Sequence, residues 1–430
     1  MPKGKNRKAR EQDGGGRKGG KGGKGGKPGP KPQSPLQEAQ SLQQKASRMC
    51  GRGRWDPTAG TLYEQALGAF QHALQEGCDA AEGLIGAAEC YHRMAELMAE
   101  ALKVESACPN ATTAAKISAK IVEHAKAATD LYARVKREFP AERTDAAVNL
   151  GGVLSLCADH SAIPECSSLY SAALAEYDEA LGSTDVSKAD ILENKADMLQ
   201  SMAERADSAG DAGEAVRLFG AANQAYNAAC METDSRMGDD LVGILEGWAG
   251  NWLSLASATQ GTPPVTTCIE NAIMQFNGAY ECDKSSTTAL CGIGDALMVL
   301  AEGEASPVRV KEALDRGYHP ALAIDDGDAD ANVGIAEAQF LLGKLTGNAE
   351  HFASSAQRYL AVASHHWADF GSCSDRSDFL FNSAIACSLA GLKSEAVACL
   401  RQCVSYGLTS KEEVLAEPDL ADDVKQHVMA

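Results

Sequence analysis

Two adjacent amphipathic helices are predicted in residues 377–410, one on either side of Gly391. In both, small and apolar residues recur at intervals of three and four, which places them in one stripe along an α-helix. Because several of these side chains are small, the two helices can pack closely against each other. The positions are Leu380, Ala384, Cys387 and Leu389 before the glycine, and Ala396, Leu400 and Cys403 after it.

The second helix of this pair has a signature that recurs along the chain. A small residue is followed four places later by an aromatic residue or leucine, and three places after that by another short side chain. A matching pattern for the first helix recurs in the intervening segments, which indicates a repeated helix pair. The recurring second-helix sets are Ala66/Phe70/Ala73, Ala128/Tyr132/Val135, Ala173/Tyr177/Ala180, Ala222/Tyr226/Ala229, Ala272/Phe276/Ala279 and Ala356/Leu360/Ala363.

This repeated helix pair resembles the tetratricopeptide repeat (TPR) family, whose unit is a helix–turn–helix of 34 residues. The resemblance implies an all-α solenoid, a right-handed superhelix of about eight hairpins in residues 36–410. It also implies a polar closing helix within residues 411–430, at Lys411–Val424, that shields the last repeat. The weakest unit is Val308–Ile324, where Pro320 is expected to interrupt the helix.

Charge is distributed unevenly between the N-terminal residues and the rest of the chain. The formal net charge is −19, but residues 1–35 carry eleven Lys and Arg against two acids, so the remainder carries about −28. Residues 1–35 are rich in Gly, Lys and Pro, and the composition predicts a disordered basic tail. Four roles stay open for it: RNA contact, binding to an import receptor, binding to the chain's own acidic surface, and simple solubilisation.

Neither a catalytic centre nor a cofactor site is predicted. The sequence contains no P-loop, G-x-G-x-x-G, G-x-S-x-G or H-E-x-x-H motif. Asp326, Asp328, Asp330 and Glu337 have the spacing of a calcium loop, but Ala331 stands where that loop needs glycine. The same aspartates could instead cap a helix. The sequence therefore predicts a non-enzymatic protein without a metal site.

The fourteen cysteines include no C-x-x-C pair, and several lie at apolar or small positions of the helical pattern. These are Cys90, Cys291, Cys387, Cys399 and Cys403, which are expected to be reduced packing thiols. The N-terminus lacks the apolar core of a secretory signal, and no apolar run approaches 18 residues. The sequence therefore predicts a cytoplasmic or nuclear protein that does not bind membranes.

The resemblance also implies a binding surface. In TPR proteins the first helices line a concave groove, and the second, fifth, ninth and twelfth positions of each motif point into it. Carried onto seven motifs, these positions include eleven Asp or Glu and no Lys or Arg. The predicted groove residues are Glu82, Glu89, Asp145, Asp190, Glu193, Asp197, Glu246, Asp295, Asp330, Glu337 and Asp378, with apolar Phe340 and Phe381 toward the C-terminal end.

The predicted function is a protein–protein interaction scaffold or adaptor whose acidic groove binds a basic, extended polypeptide segment, as a chaperone-like protein or assembly factor. Aligned carboxylates reinforce one another's potential and repel nucleic acid and anionic membranes. The alternative is an RNA- or ribosome-associated factor that uses the basic tail, while the repeats recruit proteins. A third interpretation is that the carboxylates only solvate exposed helix faces. The sequence predicts no oligomeric state.

Overall fold

The computed structural model describes residues 34–50, 57–105, 111–162, 165–183, 187–233, 238–259, 264–365, 373–405 and 409–429. Within these ranges the chain forms helices and turns and no strand, so the predicted all-α class is confirmed. The predicted basic tail lies outside the described residues except for Ser34 and Pro35, and Pro35 is the first residue of the first helix.

The described residues form eight helical hairpins followed by two short helices. A 3₁₀ turn at Pro140–Glu142 precedes the fifth helix, and a π-helical segment at Leu314–Tyr318 joins the twelfth to the thirteenth. In chain order the helices are α1 (Pro35–Cys50), α2 (Pro57–Gln75), α3 (Ala80–Glu105), α4 (Ala111–Glu138), α5 (Arg143–Asp159), α6 (Glu165–Leu181), α7 (Lys188–Ser208), α8 (Ala212–Glu232), α9 (Asp239–Ala258), α10 (Val265–Cys282), α11 (Thr287–Glu304), α12 (Pro307–Ala313), α13 (His319–Ile324), α14 (Ala329–Thr346), α15 (Ala349–His365), α16 (Cys373–Leu389), α17 (Lys393–Ser405), α18 (Lys411–Ala416) and α19 (Asp422–Met429).

The hairpins are α1/α2, α3/α4, α5/α6, α7/α8, α9/α10, α11 with α12–α13, α14/α15 and α16/α17, as the predicted TPR-like repeats require. Each first helix packs on its own second helix, and from α1 to α11 each also touches the first helix of the next hairpin. Neighbouring second helices make less contact with one another within the described residues. A stack that is tighter on one side curves toward that side, so the first helices line the concave face. In the eighth hairpin α16 also approaches α3, and the concave layer therefore encloses a groove.

Aromatic rings of the second helices fit against glycines of the first helices. Phe70 on α2 packs against Gly86 on α3, and Phe276 on α10 packs against Gly292 on α11. A Cβ atom at either glycine would overlap the ring, so only glycine allows this separation between helices. The same arrangement recurs in Tyr177 with Gly151, Tyr226 with Gly247, and Tyr318 with both Gly294 and Gly334.

The repeat unit Val308–Ile324, in which the TPR pattern is weakest, still forms a helical hairpin. Pro320 does not interrupt the second helix of the sixth hairpin, because a π-helical segment accommodates it: the His319 amide donates to the Leu314 carbonyl. This segment brings Gly317 against α11. A Cβ atom at Gly317 would lie 2.6 Å from both the Cα and the N atom of Gly294, so the two backbones are in direct contact.

The C-terminal end corrects a prediction. The sequence predicts one closing helix over Lys411–Val424, but the structure has α18 and α19 with a turn between them. Pro418 lies in this turn and supplies no backbone N–H to continue the first helix. Both short helices still cover the last hairpin, because Val414, Val424 and Val428 are buried in its hydrophobic core.

The five cysteines predicted as packing thiols are all buried. Cys90 on α3 and Cys291 on α11 lie in first helices, and Cys399 and Cys403 lie on the last second helix. Burial disfavours the thiolate, which raises the pKa of Cys90 to about 12. Such thiols are poor nucleophiles, which fits a packing role.

Replacing Gly317 by alanine should destabilise the protein by about 1–3 kcal/mol, because the added methyl meets backbone atoms that cannot rotate away. Thermal unfolding followed by circular dichroism measures the change. The matched control is Gly68→Ala on the exposed face of α2, where a Cβ meets nothing within 4 Å. Better helix propensity should make that variant slightly more stable. If Gly317→Ala and the parent melt at the same temperature, the close approach of the π-helical segment to α11 is contradicted.

Candidate functional site

The candidate site is the concave wall formed by the first helices. All thirteen predicted groove residues belong to these helices: Glu82 and Glu89 to α3, Asp145 to α5, Asp190, Glu193 and Asp197 to α7, Glu246 to α9, Asp295 to α11, Asp330, Glu337 and Phe340 to α14, and Asp378 and Phe381 to α16. Asp378 lies in α16, but its side chain is outside the described part of the chain.

Three predicted carboxylates from three consecutive hairpins meet at one cavity. Glu89, Asp145 and Asp190 line a hollow of about 400 Å³ between α3, α5 and α7. Among the described residues that line it, no Lys or Arg is present. The other lining residues are Ile85, Glu142, Val148, Asn149, Ser187 and Ile191. The hollow therefore combines four carboxylates with aliphatic surface.

Further along α7, Glu193 and Asp197 face neighbouring carboxylates. Burial, together with the negative charges of Asp197, Asp190 and Asp240, raises the pKa of Glu193 to about 7. Burial also raises the pKa of Asp197, although the Tyr226 hydroxyl donates a hydrogen bond of 2.5 Å to its Oδ1 and partly offsets the effect. These carboxylates reach solvent, but the groove walls replace much of the water around them.

The same arrangement recurs two hairpins later. Tyr318 donates a hydrogen bond of 2.7 Å to Oδ1 of Asp295 on α11. Burial raises the pKa of Asp295 to about 6, with the charge of Asp330 as a smaller cause. Tyr226 and Tyr318 belong to second helices, and their rings pass beside the glycines of the first helices to reach the groove wall.

Other groove carboxylates accept hydrogen bonds from neutral side chains. From α1, Gln40 donates to Glu82, and Gln43 donates to Oε2 of Glu89 at 2.5 Å. The Ser286 hydroxyl, which caps α11, donates to Glu246 Oε1 at 2.6 Å. These bonds orient the carboxylates without neutralising their charge.

Acids on the second helices have a different environment, because many of them pair with Lys or Arg. Lys136 on α4 bridges Glu176 and Glu179 on α6, and Arg309 on α12 contacts Glu312. Within the described residues, none of eight groove carboxylates makes such an ion pair: Glu82, Glu89, Asp145, Asp190, Glu193, Asp197, Glu246 and Asp295. These eight carboxylates of the concave wall therefore lack the Lys or Arg partners that many acids of the second helices have.

The C-terminal part of the predicted groove is less open. Phe340 packs edge-on against Phe352 of its own hairpin at 5.8 Å between ring centres, and the Lys344 ammonium lies 5.5 Å from the Phe340 ring. Phe381 is half-buried against the core of the last hairpins. Asp330 and Glu337 are exposed on α14. Phe340 thus serves packing within its hairpin.

One aspartate of the segment with calcium-loop spacing, Asp328, caps a helix. Asp328 is the N-cap of α14 and accepts from the Ala331 amide at 2.8 Å, while Asp325 accepts from the Gly327 amide at 2.9 Å. Within the described residues, no group of three or more His, Cys, Asp or Glu side chains is arranged to hold a metal ion. The role of Asp328 as a helix cap accounts for an aspartate at this position.

Sequence reasoning missed several side chains of the concave wall. Glu142 lines the acidic cavity from the 3₁₀ turn before α5, and Gln40 and Gln43 reach the wall from α1. The signal for the glutamines was the amphipathic pattern of residues 36–50, which predicts a helix but not its role as the first helix of a hairpin. Tyr226 was recognised as a repeat position and Tyr318 lies in the weakest predicted unit, but their hydroxyl contacts with Asp197 and Asp295 were not predicted.

None of the helices in the described ranges has the length and apolar character needed to cross a membrane.

Several solved structures are similar to this chain. A tetratricopeptide repeat protein from Parabacteroides merdae is 16% identical, with a TM-score of 0.40, over 73% of this chain and 97% of its own. The C-terminal part of a TPR repeat-containing protein from Cytophaga hutchinsonii is 11% identical, with a TM-score of 0.41, over 78% and 98%. The human IFIT1 dimer with PPP-AAAA is 13% identical, with a TM-score of 0.33, over 86% and 79%. No protein-family model and no curated protein matches the sequence.

Stability should fall as the pH rises from 5 to 8. The pKa of Glu193 is about 7 in the folded protein and 4.5 ordinarily, so the folded state holds a proton that the unfolded state has lost. The stabilising contribution of this proton is complete below the ordinary pKa and disappears as the pH rises through the raised one. Melting temperatures across this range measure the effect.

Glu193→Gln should flatten this pH profile and give a higher melting temperature than the parent at pH 8, because glutamine stays neutral. The control is Glu270→Gln, an exposed position on α10 that makes no ion pair within the described residues. If Glu193→Gln and Glu270→Gln both show the same dependence of melting temperature on pH as the parent, the inferred crowding of carboxylates around Glu193 is wrong.

Proposed function

We propose that this protein is a non-enzymatic interaction scaffold or adaptor whose concave acidic groove binds a basic polypeptide segment, in the manner of a chaperone-like protein or assembly factor. The observation that supports this proposal is the cavity at which Glu89, Asp145 and Asp190 of three successive hairpins meet without a cation among the described lining residues.

The shape of the wall favours an extended chain as the ligand. The carboxylates follow one another along a layer of first helices that runs through the hairpins, so a ligand must be long to contact several of them. The cavity also contains Ile85, Val148 and Ile191. Lysine and arginine carry aliphatic stems below their charged groups, and such stems pack on apolar surface while the charge reaches a carboxylate.

Electrostatics favour a basic ligand over a neutral one. Burial, together with the like charges around it, raises the pKa of Glu193, and burial does the same for Asp295. A cationic side chain placed beside them would relieve this unfavourable charge and stabilise the ionised carboxylates. A ligand bound in the cavity would lie within a Debye length of about 8 Å of several groove carboxylates. Their potentials would therefore add at physiological salt.

Nucleic acid is the less favourable ligand for this wall, because aligned carboxylates repel phosphate. The alternative function, an RNA- or ribosome-associated factor, therefore depends on the basic tail. The tail lies outside the described residues, apart from its last two, and this alternative stays a prediction. A cytoplasmic or nuclear location stays a prediction as well.

The proposal is tested by neutralising two exposed carboxylates of the cavity in the full chain, with the double variant Asp145→Asn, Asp190→Asn. Binding of a labelled peptide of alternating lysine and alanine is measured by fluorescence anisotropy. We expect the dissociation constant to rise about tenfold at physiological salt, since each lost charge pair contributes up to about 1 kcal/mol. Raising the salt concentration should weaken binding to the parent more than to the variant.

The matched control neutralises two exposed acids on second helices, Glu232→Gln and Glu270→Gln, and should leave peptide affinity unchanged. Equal loss in both double variants would show that only net charge matters, and the groove proposal would then fail. A labelled single-stranded RNA in the same assay addresses the alternative. That alternative gains support if RNA binds the parent and deletion of residues 1–33 abolishes its binding.

A further inference from the structure

The acidic cavity lies at the edge of the concave wall where the first helices begin. Glu142 is the N-cap residue of α5 and Ser187 that of α7, and both line the cavity. Asp145 and Asp190 are each the third residue of their helix. Each first helix is followed by a second helix that returns along it, so the first helices all run in one direction and begin at the same edge. The cavity therefore lies at the edge of the array where α1 also begins.

The chain enters the array beside the acidic wall. α1 begins at Pro35, and its side chains already touch this wall, because Gln40 donates to Glu82 and Gln43 donates to Glu89. Glu89 also lines the cavity. The two contacts ascend along α1 and α3 together, so these helices are parallel and their first residues lie at the same edge. The basic tail is thus joined to the repeats close to the groove carboxylates.

The basic tail has the charge that the concave wall lacks. Residues 1–35 carry eleven Lys and Arg against two acids. The described residues that line the cavity include four carboxylates and neither Lys nor Arg. Many acids on the second helices are already paired, as Glu176 and Glu179 are with Lys136. The unpaired carboxylates of the concave wall therefore attract a cationic segment of the same chain more strongly than the paired acids do.

Lysines of the tail recur at a spacing that matches the repeats. Lys18, Lys21, Lys24 and Lys27 follow one another at intervals of three residues with glycine pairs between them, and Lys31 comes four residues later. A polyproline II chain has three residues per turn and rises about 3.1 Å per residue, so these lysines would project from one side about 9 Å apart. Packed helices lie about 8–10 Å apart. Successive lysines can therefore meet carboxylates of successive first helices.

The tail is long enough to reach the cavity. The cavity lies between α3, α5 and α7, roughly two helix spacings or about 20 Å from α1. Lys27 precedes Pro35 by eight residues, and eight extended residues span up to about 28 Å. Lys24 and Lys21 can reach further along the wall, toward α7. The glycines between these lysines carry no side chain that would hold the backbone away from the helices.

We propose that residues 17–31 occupy the acidic groove of their own chain in an extended conformation, with successive lysines against carboxylates of successive first helices, and that a basic partner must displace them. This inference rests on the proposed function, because it assigns a competitor to the same groove. A tethered segment has an effective concentration on the order of 1 mM, so a segment with a dissociation constant of about 0.1 mM weakens the binding of a basic peptide about tenfold. Only a partner with higher affinity than the tail then fills the groove.

Peptide affinity tests this competition in the full chain. The test variant should bind the labelled lysine–alanine peptide about tenfold more tightly than the parent at physiological salt, as measured by fluorescence anisotropy. It neutralises the regularly spaced lysines with Lys18→Gln, Lys21→Gln, Lys24→Gln, Lys27→Gln and Lys31→Gln. The matched control removes the same charge farther from α1 and should keep the affinity of the parent. It carries Lys3→Gln, Lys5→Gln, Arg7→Gln, Lys8→Gln and Arg10→Gln.

Carbodiimide crosslinking locates the tail without any partner. The reagent joins a lysine amine to a carboxylate that it contacts, and mass spectrometry identifies the joined residues. We expect crosslinks from Lys24 or Lys27 to Glu89, Asp145 or Asp190 in the parent. When ¹⁵N-labelled and unlabelled protein are mixed before the reaction, these crosslinks should join residues of one chain and not of two.

The proposal is overturned if the test variant and its control have the same peptide affinity, whether unchanged or equally increased, because the lysine spacing then has no effect. Crosslinks between labelled and unlabelled chains, or an absence of crosslinks from residues 17–31 to the groove, would also overturn it. The two proposals fail separately. If the peptide binds neither the parent nor the test variant, the proposed function fails, whereas the crosslinks decide by themselves where the tail lies.

Discussion

The structure depends on how closely the helices of neighbouring hairpins approach, and this distance is set by aromatic rings packed against glycines. Phe70 on Gly86 and Phe276 on Gly292 leave no room for a methyl group. Van der Waals packing at such density tolerates neither a void nor an added atom. Because the contact recurs from hairpin to hairpin, it also fixes the spacing of the first helices and the curvature of the concave layer.

The same packing places tyrosine hydroxyl groups beside carboxylates of the groove. Tyr226 and Tyr318 begin on second helices, pass the glycines, and end with a hydroxyl at Asp197 and Asp295. The carboxylates are thus held by neutral donors, while acids on the second helices such as Glu176 and Glu312 are neutralised by Lys or Arg. Eight carboxylates of the concave wall have no Lys or Arg partner within the described residues, whereas many acids on the second helices are paired.

The acidic groove differs in its chemistry from a hollow of about 510 Å³ that lies between α8, α9 and α10 and is lined by Trp248, Trp252 and Asn223. The groove presents a series of carboxylates, and we propose that it attracts extended basic chains. The hollow between α8, α9 and α10 is lined by two indole rings and by uncharged side chains, so it carries no charge to attract a basic chain. They lie on different faces of α9, and a solenoid can carry both because each hairpin contributes its inner and outer surfaces separately.

Spacing of small and apolar residues was enough to predict the helical hairpins and their order, although it did not assign α1 as the first helix of the first hairpin. This works because repeats bury the same stripe in every unit, so local periodicity and tertiary contact coincide. The acidic character of the inner positions was also readable, since Glu89, Asp145 and Asp190 all fall at places of successive repeats that are expected to point inward, the ninth for Glu89 and the second for the other two. Only the tertiary structure decided that these three meet at one cavity, that Pro320 is absorbed by a π-helical segment, and that Pro418 divides the closing helix. It alone brought Trp248, Trp252 and Asn223 to a common pocket, because contacts between side chains on different helices depend on the separation and rotation of those helices, which no local pattern encodes.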